Sequence, residues 1–86
     1  MPGEIMNQRR NMIGPQVRKA RERARPPLTQ QDVSARLEVR GVHIDRAGIS
    51  KIETGNRVVI DIELIALADA LGVTVQRLLD SEENGA

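Results

Sequence analysis

Two stretches decide how this chain reads: Thr29-Gln30-Gln31-Asp32-Val33-Ser34-Ala35-Arg36-Leu37, and, after a glycine-containing connection, Asp45-Arg46-Ala47-Gly48-Ile49-Ser50-Lys51-Ile52-Glu53-Thr54-Gly55. Thr29 is a natural helix N-cap, and Asp32, three residues on, is a weaker version of the capping-box glutamate. Val33 and Leu37 follow at helical spacing, and Ser34 is small enough to let another helix approach. Asp45 caps the second segment, Ile49 and Ile52 point inward at i and i+3, and Thr54-Gly55-Asn56 stops it, glycine being common just past a helix end. The two stretches predict short helices held at an angle, the second with basic and small side chains on one face and isoleucines on the other. That arrangement suits the reading of a DNA major groove.

Upstream, Gly14-Pro15 opens a helix, since proline is tolerated at the first helical position. Ile13, Val17, Ala20 and Ala24 give it a narrow apolar stripe, and Arg25-Pro26-Pro27 ends it. Glu38 to Ile44 contains Gly41 and no helical pattern, so it reads as a connection longer than the three or four residues usual between such helices. Arg57 to Ile60 is a β-branched connector with nothing to pair with. Asp61 is expected to cap a fourth helix whose Leu64, Ile65, Leu67, Ala68 and Leu71 form the richest apolar set, closed by Gly72. Thr74 caps a last short helix with Val75, Leu78 and Leu79 inward. The expected architecture is all-α: a compact five-helix domain over residues 13–80, between a flexible basic arm at 1–12 and a short acidic tail at 81–86.

Composition removes several classes. A chain of 86 residues allows one small domain that buries roughly 60% of its unfolded surface, with little room for a deep catalytic cavity. With no cysteine and a single histidine, His43, neither a disulfide framework nor the usual zinc cluster is expected, and no other metal or cofactor is called for. The absence of Phe, Tyr and Trp requires an aliphatic core and argues against modules that stack bases on aromatic platforms. No apolar run approaches the roughly 20 residues of a membrane helix, and Met1-Pro2-Gly3-Glu4 lacks the order of a signal peptide, so a cytoplasmic location is expected. Asp61 and Glu63 have the one catalytic-looking carboxylate spacing, but residues two apart do not share a helix face. Without a phosphate loop, nucleophile elbow or metal-ligand pair, an enzyme is not expected.

The formal net charge of +1 conceals a strong division. From Arg9 to Pro27, Arg9, Arg10, Arg18, Lys19, Arg21, Arg23 and Arg25 stand against Glu22, whereas Asp61, Glu63, Asp69, Asp80, Glu82 and Glu83 face only Arg77 from residue 61 onward. A basic end turned toward a polyanion would orient the molecule on approach.

Four segments in order resemble the phage-repressor, Cro-like class of helix-turn-helix domains, also called the xenobiotic-response-element (XRE) family. They are Val17-Arg18-Lys19-Ala20-Arg21, Leu28-Thr29-Gln30-Gln31, Ile49-Ser50-Lys51-Ile52-Glu53-Thr54-Gly55 and Leu67-Ala68-Asp69-Ala70-Leu71-Gly72-Val73. The resemblance implies a repressor-like fold that binds double-stranded operator half-sites, with the third helix in the major groove. It places Arg46, Ala47, Gly48 and Lys51 toward the bases. Thr29, Gln30, Ser50, Thr54, Asn56 and Arg57 fall along the phosphates, and Glu53 pairs with Arg21, or alternatively Arg23. The sequence departs from the family in the longer connection between the second and third helices, where Arg40 and His43 are either additional DNA contacts or solvated loop residues.

The chemistry of these residues is consistent with such roles. Arg46, one residue past a cap, can donate two parallel bonds to guanine O6 and N7, worth about 1–3 kcal/mol of discrimination. Ala47 offers a methyl to thymine or simply favours the helix, and Gly48 permits close approach of either a base edge or a neighbouring helix. Gln30 at a helix N-terminus can donate to phosphate. The expected function is a DNA-binding transcriptional regulator, a repressor, acting as a homodimer through the fourth and fifth helices with Val75, Leu78 and Leu79 as candidate contacts. The alternative is an antitoxin-like or adaptor module that binds a protein partner, with DNA contact secondary.

Overall fold

Five helices run through residues 9–80, the part of the chain that the computed structural model describes: α1 (Gly14–Arg23), α2 (Gln30–Val39), α3 (Arg46–Glu53), α4 (Asp61–Leu71) and α5 (Val75–Leu79). There is no strand among the described residues. The expectations for residues 1–8 and for the acidic tail lie outside them.

Local chemistry explains where the helices begin. Thr29 Oγ1 accepts from the Asp32 amide at 3.0 Å while Asp32 Oδ2 accepts from the Thr29 amide at 2.8 Å, a reciprocal cap that satisfies two otherwise orphaned donors. The bond from the Thr29 amide, with help from the Thr29 side chain, holds the Asp32 carboxyl below the usual carboxylate range. Asp45 accepts from the Gly48 amide at 2.8 Å, and Thr74 from the Arg77 amide at 3.0 Å. The start of α4 differs from expectation: Ile60, not Asp61, occupies the cap position, and Glu63 accepts from the Ile60 amide at 3.2 Å. Asp61 is already helical and accepts from the Ile62 amide.

The end of α2 also lies later than its pattern suggests, because Glu38 and Val39 are helical. The connection to α3 therefore runs from Arg40 to Asp45, turned by Gly41 at φ +79°, a conformation that side chains with a Cβ resist. Ser34 ties this turn down: its buried Oγ donates to the Ile44 carbonyl at 2.7 Å.

The core is aliphatic throughout. Val17, Val33, Leu37, Ile49, Ile52, Leu67 and Leu78 are fully buried, so every helix sends at least one side chain to a shared centre. Two sequence expectations fail here. Ile65 lies 61% exposed beside Ile62 on the outer side of α4, because a helix that is apolar nearly all round does not reveal by its period which face is inward. Leu78 is wholly inside and cannot form an exposed dimer contact, while Val75 and Leu79 are half-buried against the core.

Candidate nucleic-acid interface

The inward side of α3 is apolar and its outward side is polar. Ile49 and Ile52 are fully buried, whereas Arg46, Ala47 and Lys51 are exposed and Gly48 and Ser50 half-buried. Residues 46, 47, 50 and 51 share one face by helical periodicity. Neither the Arg46 nor the Lys51 side chain has a hydrogen-bond or ion-pair partner among the described residues, so both cationic ends remain available to an external ligand.

Gly48 serves the fold as well as the surface. A Cβ there would stand 2.7 Å from Ile44 Cγ2 and 3.2 Å from Asp45 Oδ1. Of the two readings open from sequence, close approach to a neighbouring part of the chain is therefore satisfied internally.

The C-terminal end of α3 is fastened from three directions. Glu53, only 5% exposed in its side chain, accepts from Arg21 Nε at 2.7 Å and Nη2 at 3.0 Å. Gln30 Nε2 adds a third bond to Glu53 at 3.1 Å, and Arg21 Nη1 donates to the Leu28 carbonyl at 3.1 Å. The hydrogen bonds accepted by Glu53 hold the Arg21 guanidinium above its ordinary range despite its partial burial. Gln30 is thus engaged within the fold through its amide nitrogen.

Asn11 supplies the second fastening. Its Oδ1 accepts from the Ile13 and Gly14 amides at 3.0 and 2.8 Å, capping α1, while its Nδ2 donates to the carbonyls of Ile52 and Arg57 at 3.0 and 2.8 Å. Arg9 is the third: its guanidinium donates to the Glu53 and Thr54 carbonyls at 3.3 and 3.4 Å. A cation over terminal carbonyls also complements the negative end of the helix dipole. Arg9 to Met12 therefore do not behave as a free arm, and the Arg10 amide is bonded to the Gly55 carbonyl at 2.8 Å. Pattern reading passed over Asn11; the available signal was an asparagine, a capping residue type, just ahead of Ile13-Gly14-Pro15.

The other candidate residues have mixed surroundings. Arg57 pairs with Glu63 at 2.9 and 3.1 Å and donates to the Val58 carbonyl. Each partner in this pair favours the charged form of the other: the hydrogen bonds that Arg57 donates hold the Glu63 carboxyl below its usual range, and their acceptance by Glu63 raises Arg57. Arg40 pairs with Asp69 of α4 and donates to the Arg36 carbonyl, and the exposed His43 ring lies 3.1 Å from the Glu38 carboxylate. Thr54 Oγ1 donates to the Ser50 carbonyl at 3.1 Å, and Asn56 Nδ2 donates to Thr54 Oγ1 at 3.0 Å. Thr29 and Asn56 are exposed at the two ends of the motif.

No group of metal-ligating side chains occurs among the described residues, and no helix there is long and apolar enough to cross a membrane. The paired helices, with one buried and one cationic face on the second, match what known proteins indicate. A family model described as a helix-turn-helix domain matches residues 13–80. Among solved structures, the chain is similar to the restriction-modification controller protein C.AhdI from Aeromonas hydrophila, with a TM-score of 0.64 and 26% sequence identity over 77% of this chain and 86% of that one. No curated protein matches it. The chain belongs to the helix-turn-helix family of XRE-like DNA-binding transcription regulators.

Proposed function

We propose that this regulator is a repressor that binds double-stranded DNA sequence-specifically, reading a short operator half-site with α3 in the major groove. The observation that carries the reading is the contrast between cations. Arg21, Arg40 and Arg57 are each matched to a carboxylate, whereas Arg46 and Lys51 project from the exposed face of α3 with no partner among the described residues.

Arg46 and Lys51 address base edges, with Ala47 and Gly48 keeping the helix surface low between them. Thr29, Gln30, Ser50, Thr54 and Asn56 lie along the phosphates and set the register of the helix. Gln30 Nε2 keeps its second N–H for this purpose beside its bond to Glu53, and the Gln30 and Gln31 amides of the first turn stand at the same helix end. Arg57 reaches a phosphate only by exchanging Glu63 for it. Arg40 and His43 flank the same connection as further DNA contacts, each starting from an internal carboxylate partner.

A surface this small suits two half-sites bound by a homodimer. Exposed Ile62 and Ile65 on α4, with Ile60 and Val58 before it, support a self-contact on that side rather than through Leu78. The same apolar residues favour the second reading, an adaptor or antitoxin-like module whose α4 binds another protein.

Selection from a random duplex pool tests the main reading, since an operator reader enriches one motif and a dimer enriches it as an inverted repeat. Arg46→Ala is then expected to flatten preference at one base position, at about 1–3 kcal/mol, while changing affinity for random DNA much less. Equal losses on selected and random duplexes would remove Arg46 from base reading. A monomer in sedimentation, both free and on selected DNA, would remove the dimer.

A further inference from the structure

Arg9 precedes α1, yet its guanidinium lies against the end of α3. It donates from Nε to the Asn11 carbonyl at 3.3 Å, from Nη1 to the Thr54 carbonyl at 3.4 Å and from Nη2 to the Glu53 carbonyl at 3.3 Å. Two glycines make room for it. A Cβ at Gly55 would stand 2.5 Å from Arg9 Cζ and 2.7 Å from its Nε, and one at Gly14 would strike Arg9 Nη2 as well as the Ile52 carbonyl. Gly55 also turns the chain at φ +82°, so a single residue both ends α3 and admits the arginine.

This seat fixes the cation without cancelling it. The three acceptors are neutral backbone carbonyls, and no carboxylate among the described residues pairs with Arg9. The carboxylate of Glu53 is already taken by Arg21 and Gln30. Arg9 is exposed, and a guanidinium carries five N–H groups, so one on Nη1 and one on Nη2 remain for an outside acceptor. Its surroundings are the residues proposed to follow the phosphates. Arg9 bonds Thr54, the Arg10 amide bonds the Gly55 carbonyl at 2.8 Å, and exposed Asn56 is next in the chain.

We infer, granting the reading of α3 in the major groove on which this rests, that Arg9 is a DNA phosphate contact. A cation from ahead of the first helix is held at the C-terminal end of α3 before DNA arrives. Phosphate carries no sequence information, so Arg9 raises affinity for every duplex and leaves base preference to Arg46 and Lys51. A side chain already in position loses less freedom on binding than one on a free arm.

The test is the salt dependence of duplex binding by the full chain, between about 50 and 200 mM salt, on a duplex selected by wild type and on random duplex. Arg9→Gln should lower the slope of log affinity against log salt by about 0.9 on both, and affinity itself roughly five- to tenfold at the lower salt. Arg9→Lys keeps the charge and should keep most of the slope. Two controls separate contact from other roles. Asn11→Ala removes a neighbouring fastening between α1 and α3 without changing charge, and should leave the slope as in wild type. Arg10→Gln removes the same charge one residue on, where the side chain lines a recess with Leu64 and Leu79, and should change the slope much less. An unchanged slope in Arg9→Gln overturns the contact. An affinity loss at wild-type slope does so too, because Arg9 would then only fasten α3, as would equal slope losses in Arg9→Gln and Arg10→Gln, the mark of a general field. A wild type that prefers no duplex sinks base reading, while the slope on random duplex still decides Arg9. A wild type that binds no duplex removes both.

Discussion

Arg21 and Glu53, on α1 and α3, meet through two near-parallel hydrogen bonds of 2.7 and 3.0 Å with both side chains largely out of water. A planar guanidinium against a carboxylate fixes direction as well as distance, so the pair sets how α3 leans on α1. Removing one partner leaves the other charge buried without compensation. Glu53→Ala should cost about 3 kcal/mol, lowering the melting temperature by roughly 12 °C or more for a domain of this size. Arg21→Met combined with Glu53→Leu should restore much of the loss, since replacing a buried pair by apolar groups is often close to neutral. Urea denaturation of wild type, Arg21→Met, Glu53→Leu and the double variant measures the coupling; a single-variant loss below about 0.5 kcal/mol would make the pair a surface-like one.

Gly48→Ala opposes two effects of known sign. Alanine favours a helix over glycine by about 1 kcal/mol. Its Cβ, however, would meet Ile44 Cγ2 at 2.7 Å, and Ile44 is buried, branched and already bound at its carbonyl by Ser34. Overpacking of this kind costs about 1–3 kcal/mol, so the net effect is a loss of stability. Adding Ile44→Ala should make the exchange of glycine for alanine favourable in that background, although the double variant is less stable than wild type because of the cavity. A stabilised Gly48→Ala single variant would show that the turn yields without cost.

Glu63 gives the molecule an acid-sensitive contact. Its carboxyl is held below the ordinary value mainly by the hydrogen bond from Arg57, with help from the Ile60 amide and against the effect of burial. A depressed folded-state value means that the stabilisation is fully present above the unfolded glutamate value of about 4.3 and is lost as pH falls through the lower folded value. Asp32 shifts in the same direction at the α2 cap. Melting temperature should therefore fall below about pH 4, and Glu63→Gln should be less stable at pH 7 by about 1 kcal/mol with a shallower acid limb. Identical pH profiles for wild type and Glu63→Gln would exclude this contact as a source of the acid sensitivity.

These contacts also mark where the chain is legible from its residues. Caps at Thr29, Asp45 and Thr74 are local: donor and acceptor lie within three residues, so side-chain type and position suffice to find them. The two-faced α3 is equally local, because one helical turn separates Ile49 and Ile52 from the cations. Ile65 is different. α4 carries apolar residues on every side besides Asp61, Glu63 and Asp69, so it offers several inward faces, and the packing of α1, α2 and α5 selects among them. Arg57 is a similar case, since a cation beside a predicted phosphate path is indistinguishable in sequence from one held by Glu63. Partner choice across six or more residues depends on the tertiary fold.

Asn11 offers the sharpest separation of roles, because its two side-chain atoms do opposite jobs. Oδ1 accepts from the start of α1, and Nδ2 donates to the Ile52 and Arg57 carbonyls at the far side of α3. Asn11→Asp retains the acceptor and adds a negative charge near a helix N-terminus, which alone would be stabilising by about 0.3–1 kcal/mol. It also replaces a donor with an oxygen facing two carbonyl oxygens 3.0 and 2.8 Å away, so the carboxylate must rotate or be pushed out. The second effect should win. A lost cap costs about 1 kcal/mol and each unsatisfied buried carbonyl a similar amount, so Asn11→Ala should lose roughly 2–3 kcal/mol. Asn11→Asp should lose at least as much at pH 7 and recover in part at low pH, where a protonated carboxyl can donate again. Chemical denaturation at pH 7 and pH 4, on wild type and both variants, reads this directly. An Asp variant as stable as wild type at pH 7 would mean that Asn11 only caps α1 and does not bind it to α3.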